Sequence, residues 1–536
     1  MMITTPIFYV NSNPHVGHLY TMILSDAQNK WQKQNGVETF LTTGTDEHGQ
    51  KIQNAANDKQ IDIQRYCDQY CDQFKNLIDA FDLQFDKFVR TSDFQHKKTV
   101  QIIWEQLEKQ GYIGIEEYQG YYSQSDESFI PEKELVENDQ GKKVTKEGHL
   151  VEWISETNHV FYFQKVKEQI LKYLQEQRPI TPDFYNDEMI KQVHQLKDIS
   201  ISRPYKRLQW GIEVPTNLDY VIYVWLDALS NYITSLNYPN LSDKQKQLQQ
   251  NFFHIIGKDI IKFHSIYWPA FLAALGLSLP KQIFVHSHWV VSGQKMSKSL
   301  GNTTDPFLLV QQFGIEPTKL YFLAKGPQDF DYDFNTYNLQ QSFNLFIEGF
   351  TNVFVRVANK KIIKNGCISE VGWHFDIEDM NFIDEFQVMV NVTKGYLDQC
   401  DFRKAYMQIE QLWGLTNKKL TDLKPWDSAY REDVEYKHKC AYLVLESVRL
   451  MSILLYPYNF RYITQIFELF GLSEEEIAIN IQANQLNFRK IDVSSQQTQF
   501  FTRVGPQKNM FLKIDLQDVK QIYRTKFDLD KVSEFQ

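Results

Sequence analysis

A strand that hands over to a helix across two histidines and a glycine constrains this chain more than any other stretch. Ile3-Thr-Thr-Pro-Ile-Phe-Tyr-Val10 is rich in β-branched and aromatic residues and reads as a buried strand, while Leu19 to Trp31 carries apolar residues at helical spacing. Pro14, His15, Gly17 and His18 fall between them, where the helix begins. Free N–H groups and the positive dipole end of a helix start make a cradle for phosphate. A glycine there lets a flat ring lie directly on the backbone, and imidazoles three residues apart share one face and can donate to phosphoryl oxygens. Two cap or surface histidines would give the same local pattern. Far downstream, Lys295-Met296-Ser297-Lys298-Ser299 follows the turn Ser292-Gly293-Gln294 and precedes Leu300-Gly301-Asn302. Two lysines three apart, flanked by hydroxyls and glycines, suit a mobile clamp on a triphosphate, the alternative being a solvated basic loop.

At 536 residues the chain is too long for one core and should hold two or three domains. The most apolar stretch, Cys440 to Tyr456, is broken by Glu446 and Arg449, so no membrane span is expected. The amino end reads as entering a strand at once, so neither a signal peptide nor an Arg-rich presequence is expected. Five cysteines, Cys67 and Cys71 among them at helical spacing, form no disulfide framework and indicate a reducing compartment. The net charge of −10 does not advertise a nucleic-acid binder, although a basic face fits on an acidic protein.

Along the chain, Glu38 to Gly49 is a second strand ending in the polar loop Gly44-Thr-Asp46-Glu47-His48-Gly49. A carboxylate at the C-terminal end of a parallel strand lies where open α/β sheets bind ligands, so Asp46 could hold an ammonium group; it could equally cap the next helix. Residues 58–110 read as helical throughout, with Trp104 and Leu107 on one apolar face. Residues 111–158, with their glycines, paired aromatics and alternation, read as a small β-rich insertion. Strand and helix then alternate through Tyr220–Tyr232, Phe252–Asp259 and Ile283–His288. The fold class expected is α/β, a doubly wound, Rossmann-like parallel sheet over 1–110 and 159–284 interrupted by the insertion, with a connecting segment at 285–334. From 335 onward, apolar residues at i, i+3, i+4 and i+7 over Phe343–Val357, Asp384–Lys394, Phe402–Thr416 and Glu435–Leu455 predict an all-α bundle, its pattern fading after about Ala478.

The two motifs, in this order and separation, resemble the HIGH and KMSKS signatures of class I aminoacyl-tRNA synthetases. Five further blocks narrow the resemblance to methionyl-tRNA synthetases: Pro6 to Asn11, Gly44 to Gly49, Tyr223 to Ala228, Gly257 to His264 and Lys424-Pro-Trp426. That resemblance implies activation of L-methionine with ATP and Mg²⁺ and transfer of methionyl to the terminal adenosine of tRNA(Met). It makes His15, His18, Lys295 and Lys298 the groups that neutralise the phosphates, with Pro14, Gly17, Glu213, Gly257, Asp259, Met296, Ser297 and Ser299 on the ATP side. Asp46 would pair with the α-ammonium, and Ile7, Tyr9, Trp225, Ala228, Leu229, Tyr232, Ile260 and His264 would enclose the side chain. That lining is apolar and aromatic, as an unbranched thioether needs, whereas Trp225 and Tyr232 taken alone would pass for core. The helical region would bind the anticodon through Asn352, Arg356 and Trp426, residues that alone would pass for a solvated pair and a core indole.

Where many such enzymes carry CxxC pairs for zinc, this chain has Ser123 and Asp126, and no cysteine lies between Cys71 and Cys367. Three or four N/S ligands cannot be assembled, and His149 alone does not replace them, so no zinc is expected. The insertion is then similar to the zinc-free form of mitochondrial enzymes and their bacterial relatives, which implies the mitochondrial matrix, with the cytoplasm as the alternative. A monomer without membrane attachment or the extra C-terminal β-barrel of some relatives is expected. A synthetase for isoleucine, valine or leucine would need a larger editing insertion, and one for cysteine a thiolate–zinc pocket. A small nucleotidyltransferase would not need the Lys-Pro-Trp block or the bundle. A catalytically inactive tRNA-binding paralogue would have no use for His15, His18, Asp46, Lys295 and Lys298.

Overall fold

Pro6 splits the first expected strand in two, since it offers no N–H to a ladder. In the computed structural model, β1 (Met2–Thr4) and β2 (Phe8–Tyr9) both run parallel to one edge of β3 (Phe40–Asp46), Thr4 opposite Thr42 and Phe8 opposite Thr45. Residues 5–7 therefore span only two residues of β3, a bulge that re-aims the chain before it reaches α1 (Val16–Gln34). The structure describes residues 1–488 apart from 124–127, 131, 139, 146–147, 149, 292, 297–303, 359–360, 364–367, 369–373 and 470–471. By packing they divide into two compact units. One comprises Met1–Asp26, Thr39–Phe307 and Pro327–Tyr332; the other comprises Ala27–Glu38, Leu308–Gly326 and the described residues from Asp333 onward.

The first unit is built on a seven-stranded sheet, ordered Ile180–Thr181, Gln282–His286, Phe252–Gly257, β1, β3 and β2, with β4 (Lys87–Arg90) on the other edge of β3. Every pairing in it is parallel. Between β3 and β4 lie α2 (Gln50–Asp58) and α3 (Ile63–Ala80), and α4 (Phe94–Lys109) follows. β4 corrects the expectation of unbroken helix over 58–110. Four residues are too few to show a period of two against the helical patterns on both sides, and pairing with β3 decides their conformation. The sheet is tight here: a Cβ on Gly44 would lie 1.9 Å from the Val89 carbonyl oxygen.

The β-rich insertion supplies three strands of a four-stranded antiparallel sheet, the fourth being Ile199–Ser200; its main pair, Ile113–Ser123 with Val151–Phe161, extends three residues beyond the expected border at 158. Ser123 is buried at its end. Asp126 and His149 lie outside the described residues, and among the described residues no group of three His, Cys, Asp or Glu side chains could hold a metal ion.

In the second unit, Thr336–Phe346 and Asn352–Val357 flank one π-helical turn, and Ile377–Asp398, Phe402–Leu423 and Val434–Leu455 form long helices. The last is buried through about five turns, from His438 to Leu455, including Glu446 and Arg449, which neutralise each other at 2.8 Å. Arg449 also donates to the carbonyls of Gln485 and Asn487, which fixes the end of the described chain. No described helix is long and apolar enough to cross a membrane. Cys67, Cys71, Cys400 and Cys440 are buried thiols outside any disulfide.

Candidate active site

The C-terminal ends of the parallel strands gather the residues that matter. Asp46 closes β3, Ile7 precedes β2 and Tyr9 ends it, Gly257 closes its strand, and His286 closes the next one, opposite Gly257 in register. This is where an open α/β sheet takes its ligand.

At the start of α1 the Gly17 amide donates to His15 Nδ1 at 3.0 Å, and the His15 amide donates to His18 Nδ1 at 3.2 Å. The rings stack at 3.9 Å between centroids, His18 resting edge-on against Phe8 and Phe74. Because each Nδ1 accepts, each neutral imidazole carries its proton on Nε2, so the backbone fixes the tautomer. The expectation of free backbone N–H groups at this helix start is corrected. Val16 donates to the Thr304 carbonyl, Gly17 to the His15 ring, and His18 and Leu19 to the His15 carbonyl. Gly17 is required by this arrangement, since a Cβ there would lie 2.8 Å from His15 Cε1.

The second motif leaves the sheet at Trp289–Val291, turns at Gly293 and returns through Gln294–Lys295, with Val290 paired to Lys295. Met296 is buried; Ser297, Lys298 and Ser299 lie outside the described residues. Both ends of this segment meet α1. Trp289 packs edge-on against Tyr20, and Thr304 accepts the Val16 amide at 3.4 Å. Histidine and lysine motifs almost three hundred residues apart are thereby tethered to one helix start.

The loop after β3 is held from all sides. Asp46 is buried, and its carbonyl accepts from the Val10 amide. The Glu47 amide donates to Thr91 Oγ1, its carboxylate takes Arg90 and Ser92, and its carbonyl takes the Trp210 indole N–H. Tyr9 donates its hydroxyl to the His48 carbonyl at 2.8 Å. Asp46 is not a helix cap, because Gly49, at φ 113°, precedes α2.

Trp225, half-buried, lies flat on Phe263 at 3.4 Å. Ala228, Leu229 and Tyr232 are buried around it, and Ile260 is half-buried. The Tyr232 hydroxyl and His264 Nε2 are 2.6 Å apart, and His264 Nδ1 is 3.0 Å from the Ile260 carbonyl. A carbonyl only accepts, so Nδ1 carries the hydrogen and Tyr232 donates into Nε2. Burial holds His264 neutral, its pKa lowered to about 4, against smaller opposing effects from the Ile260 carbonyl and Asp259. Burial also lowers His286 to about 4; its Nε2 meets Thr21 on α1 at 2.9 Å.

These two rings set a testable acid sensitivity. Their folded pKa lies below the unfolded one, so between about pH 6.5 and 4 the unfolded chain binds more protons and stability falls with pH. Each ring accounts for a loss of about 2 kcal/mol at pH 5. A melting midpoint that drops clearly between pH 7 and 5 is the expected result; a flat profile would mean the rings are not buried neutral.

On the outer side, Asp259 is exposed, 3.8 Å from His288 Nε2, and a Cβ on Gly257 would meet its carboxylate and the His286 and His288 rings. Glu213 is exposed on an isolated bridge to Val221. In the second unit Arg356 donates to Asn417 and Thr421 and sits 5.1 Å from the ring of Trp426, which is 41% exposed. Trp426 is therefore no core residue. Asn352 is half-buried on the same helix; its backbone N–H donates to the Ile347 carbonyl, and its side chain has no hydrogen-bond partner among the described residues.

One cluster went unread in the sequence. Asp227, fully buried, accepts from His48 Nδ1 at 2.6 Å and from His96 Nε2 at 2.7 Å. Burial would raise its pKa, but the two imidazoles outweigh it and lower it to about 2. Both Asp227 and His48 lie inside conspicuous blocks, yet nothing in a linear pattern pairs residues 179 apart.

Residues 1–358 match the family model for class I tRNA synthetases of the methionine type, and residues 371–527 match the anticodon-binding domain of methionyl-tRNA ligase. A "probable methionine–tRNA ligase, mitochondrial" of Dictyostelium discoideum is 37% identical over 480 residues, 85% of this chain and 83% of that protein. The methionine–tRNA ligase of Rickettsia typhi is 34% identical, covering 88% of this chain and 93% of its own. Among solved structures, Mycobacterium tuberculosis methionyl-tRNA synthetase bound by methionyl-adenylate superposes with a TM-score of 0.83 at 29% identity, over 90% of this chain and 96% of that one.

Proposed function

The chain belongs to the methionyl-tRNA synthetases of class I, which activate methionine with ATP and transfer it to tRNA(Met), and from that membership we propose how its own residues divide the work. ATP enters as its Mg²⁺ complex. A carboxylate oxygen of methionine attacks the α-phosphorus, the bond to the bridging oxygen breaks, and pyrophosphate leaves with the electron pair. The 3′-terminal adenosine hydroxyl of the tRNA then attacks the methionyl carbonyl and AMP departs. Neither step requires a protein nucleophile; both require in-line positioning and neutralisation of moving charge.

His15 and His18 donate from Nε2 to phosphate oxygens, and Lys295 and Lys298 close over the triphosphate. The observation that carries this assignment is the tether of both motifs to one helix start, through the Val16–Thr304 bond and the Trp289–Tyr20 contact. Pro14, Gly17, Gly257, Asp259, Met296, Ser297, Ser299 and, less closely, exposed Glu213 shape the nucleotide side. Asp46 pairs with the methionine ammonium beside Tyr9 and Ile7. Trp225, Ala228, Leu229, Tyr232, Ile260 and His264 form the side-chain slot. With the Tyr232 hydrogen committed to His264, the slot meets the side chain chiefly with aromatic rings, a surface suited to a polarizable thioether sulfur.

Asn352, Arg356 and Trp426 read the anticodon, an assignment supported by an indole left exposed beside a guanidinium. The proposed domains are the catalytic halves at 1–110 and 159–284, the insertion at 111–158 without zinc, the connecting segment at 285–334 and the anticodon-binding region from 335. The mitochondrial names among the relatives support a place in the mitochondrial matrix, and a monomer is the proposed state.

Methionine-dependent ATP–pyrophosphate exchange tests the division of labour. Methionine should drive exchange while isoleucine and cysteine do not, and His18→Ala should abolish it with tRNA binding retained. Exchange undiminished in His18→Ala would remove the histidines from the phosphate site.

A further inference from the structure

The two parts of the amino-acid site come from different places. Asp46 and Tyr9 belong to the edge formed by β2 and β3, whereas Trp225, Ala228 and Leu229 ride on the short helix Val224–Leu229. Asp227 lies on that same helix and faces the other way, into the interior. Its Oδ2 takes His48, two residues past Asp46, and its Oδ1 takes His96 from α4. The far side of His96, Nδ1, meets Thr234 Oγ1 at 3.1 Å, and Thr234 closes the helix Asn231–Thr234 that carries Tyr232. His48 in turn receives the Tyr9 hydroxyl on its carbonyl. One carboxylate thus ties the ammonium end of the slot to both helices of its wall.

His48 Nε2 supports the importance of this bond. It is buried and has no partner among the described residues, a cost that charge-assisted bonding at Nδ1 offsets. A leucine of similar volume would fill the space without that cost, so it is the link to Asp227 that the ring supplies.

We propose that Asp227 is a positioning residue for methionine recognition, setting the separation between Asp46 and the Trp225–Tyr232 wall through His48 and His96. The proposal rests on Asp46 being the ammonium partner and goes beyond it, since Asp227 itself reaches no substrate.

Pyrophosphate exchange on the full chain tests it. Asp227→Asn keeps the shape but can no longer accept from both imidazoles with full charge. The expected result is a KM for methionine raised about tenfold or more, with KM for ATP held within about twofold, because a slot misplaced by a fraction of an ångström loses one substrate selectively. A role in stability alone would lower the melting point and the active fraction but leave both KM values in place, and that outcome overturns the proposal. If Asp227→Asn does not fold, His96 decides. His96→Leu should raise the methionine KM, and His96→Gln, which keeps a donor towards Asp227, should restore most of the loss; equal KM values in the two variants overturn the proposal. Asp46→Asn separates the layers. An unmoved methionine KM there overturns the ammonium assignment beneath the proposal, while a raised one beside an unmoved value in Asp227→Asn overturns the proposal alone.

Discussion

Asp46→Asn is expected to lower kcat/KM for methionine about a thousandfold in pyrophosphate exchange, with the ATP dependence little changed. Asp46 is 6% exposed at the end of β3, so a bound ammonium would meet it largely out of water. Removing one partner of a buried, hydrogen-bonded charge pair costs about 2–5 kcal/mol, and about 4 kcal/mol corresponds to the predicted factor. The loop should survive the change. It is pinned through the Val10 amide, Thr91, Trp210 and Tyr9, none of which uses the Asp46 carboxylate. A second readout isolates the charge. The 2-hydroxy analogue of methionine has no ammonium, so the wild-type preference for methionine over it should shrink sharply in Asp46→Asn. A preference of unchanged size would show that Asp46 does not bind the ammonium.

What could be read from the sequence divides by distance along the chain. The helices of the second unit follow their 3.6-residue stripes, and Val434–Leu455 was legible almost to its ends because a buried helix is apolar on every turn. β4 was not, since four residues between helical patterns carry too little periodicity and their conformation is set by an edge of β3 some forty residues earlier. The motif His15-Val-Gly-His18 marked the right place but not its geometry. A helix start exposes its N–H groups in principle; here His15 folds back as its cap, a choice made by two ring nitrogens and the missing Cβ of Gly17. Buried polar pairs were the least legible of all. Asp227 with His48 and His96, or Glu446 with Arg449, look like ordinary charges in a linear pattern, and only the fold removes them from water and makes their pairing obligatory.

The same separation of sites fixes the last prediction. Trp426→Ala should lower kcat/KM for tRNA(Met) in aminoacylation about 30- to 150-fold and leave methionine-dependent pyrophosphate exchange within about twofold. Trp426 follows Pro425, which cannot continue the helix Phe402–Leu423, and Lys424 ends that helix in the left-handed region at φ 45°. The indole is therefore placed by a turn, not by a core, and is 41% exposed. Stacking of an unpaired base on such a ring is worth about 1–3 kcal/mol, and truncation also takes the aromatic face from the Arg356 guanidinium, now held only by Asn417 and Thr421. Trp426→Phe keeps a stacking face and should recover much of the loss. Arg356→Lys keeps the charge but not the planar fork that reaches Asn417 and Thr421 together, so it should stay impaired. Equal aminoacylation by Trp426→Ala and wild type would take this turn out of anticodon recognition. A parallel fall in pyrophosphate exchange would instead mean that the substitution disturbs the fold, because every residue assigned to activation belongs to the other compact unit.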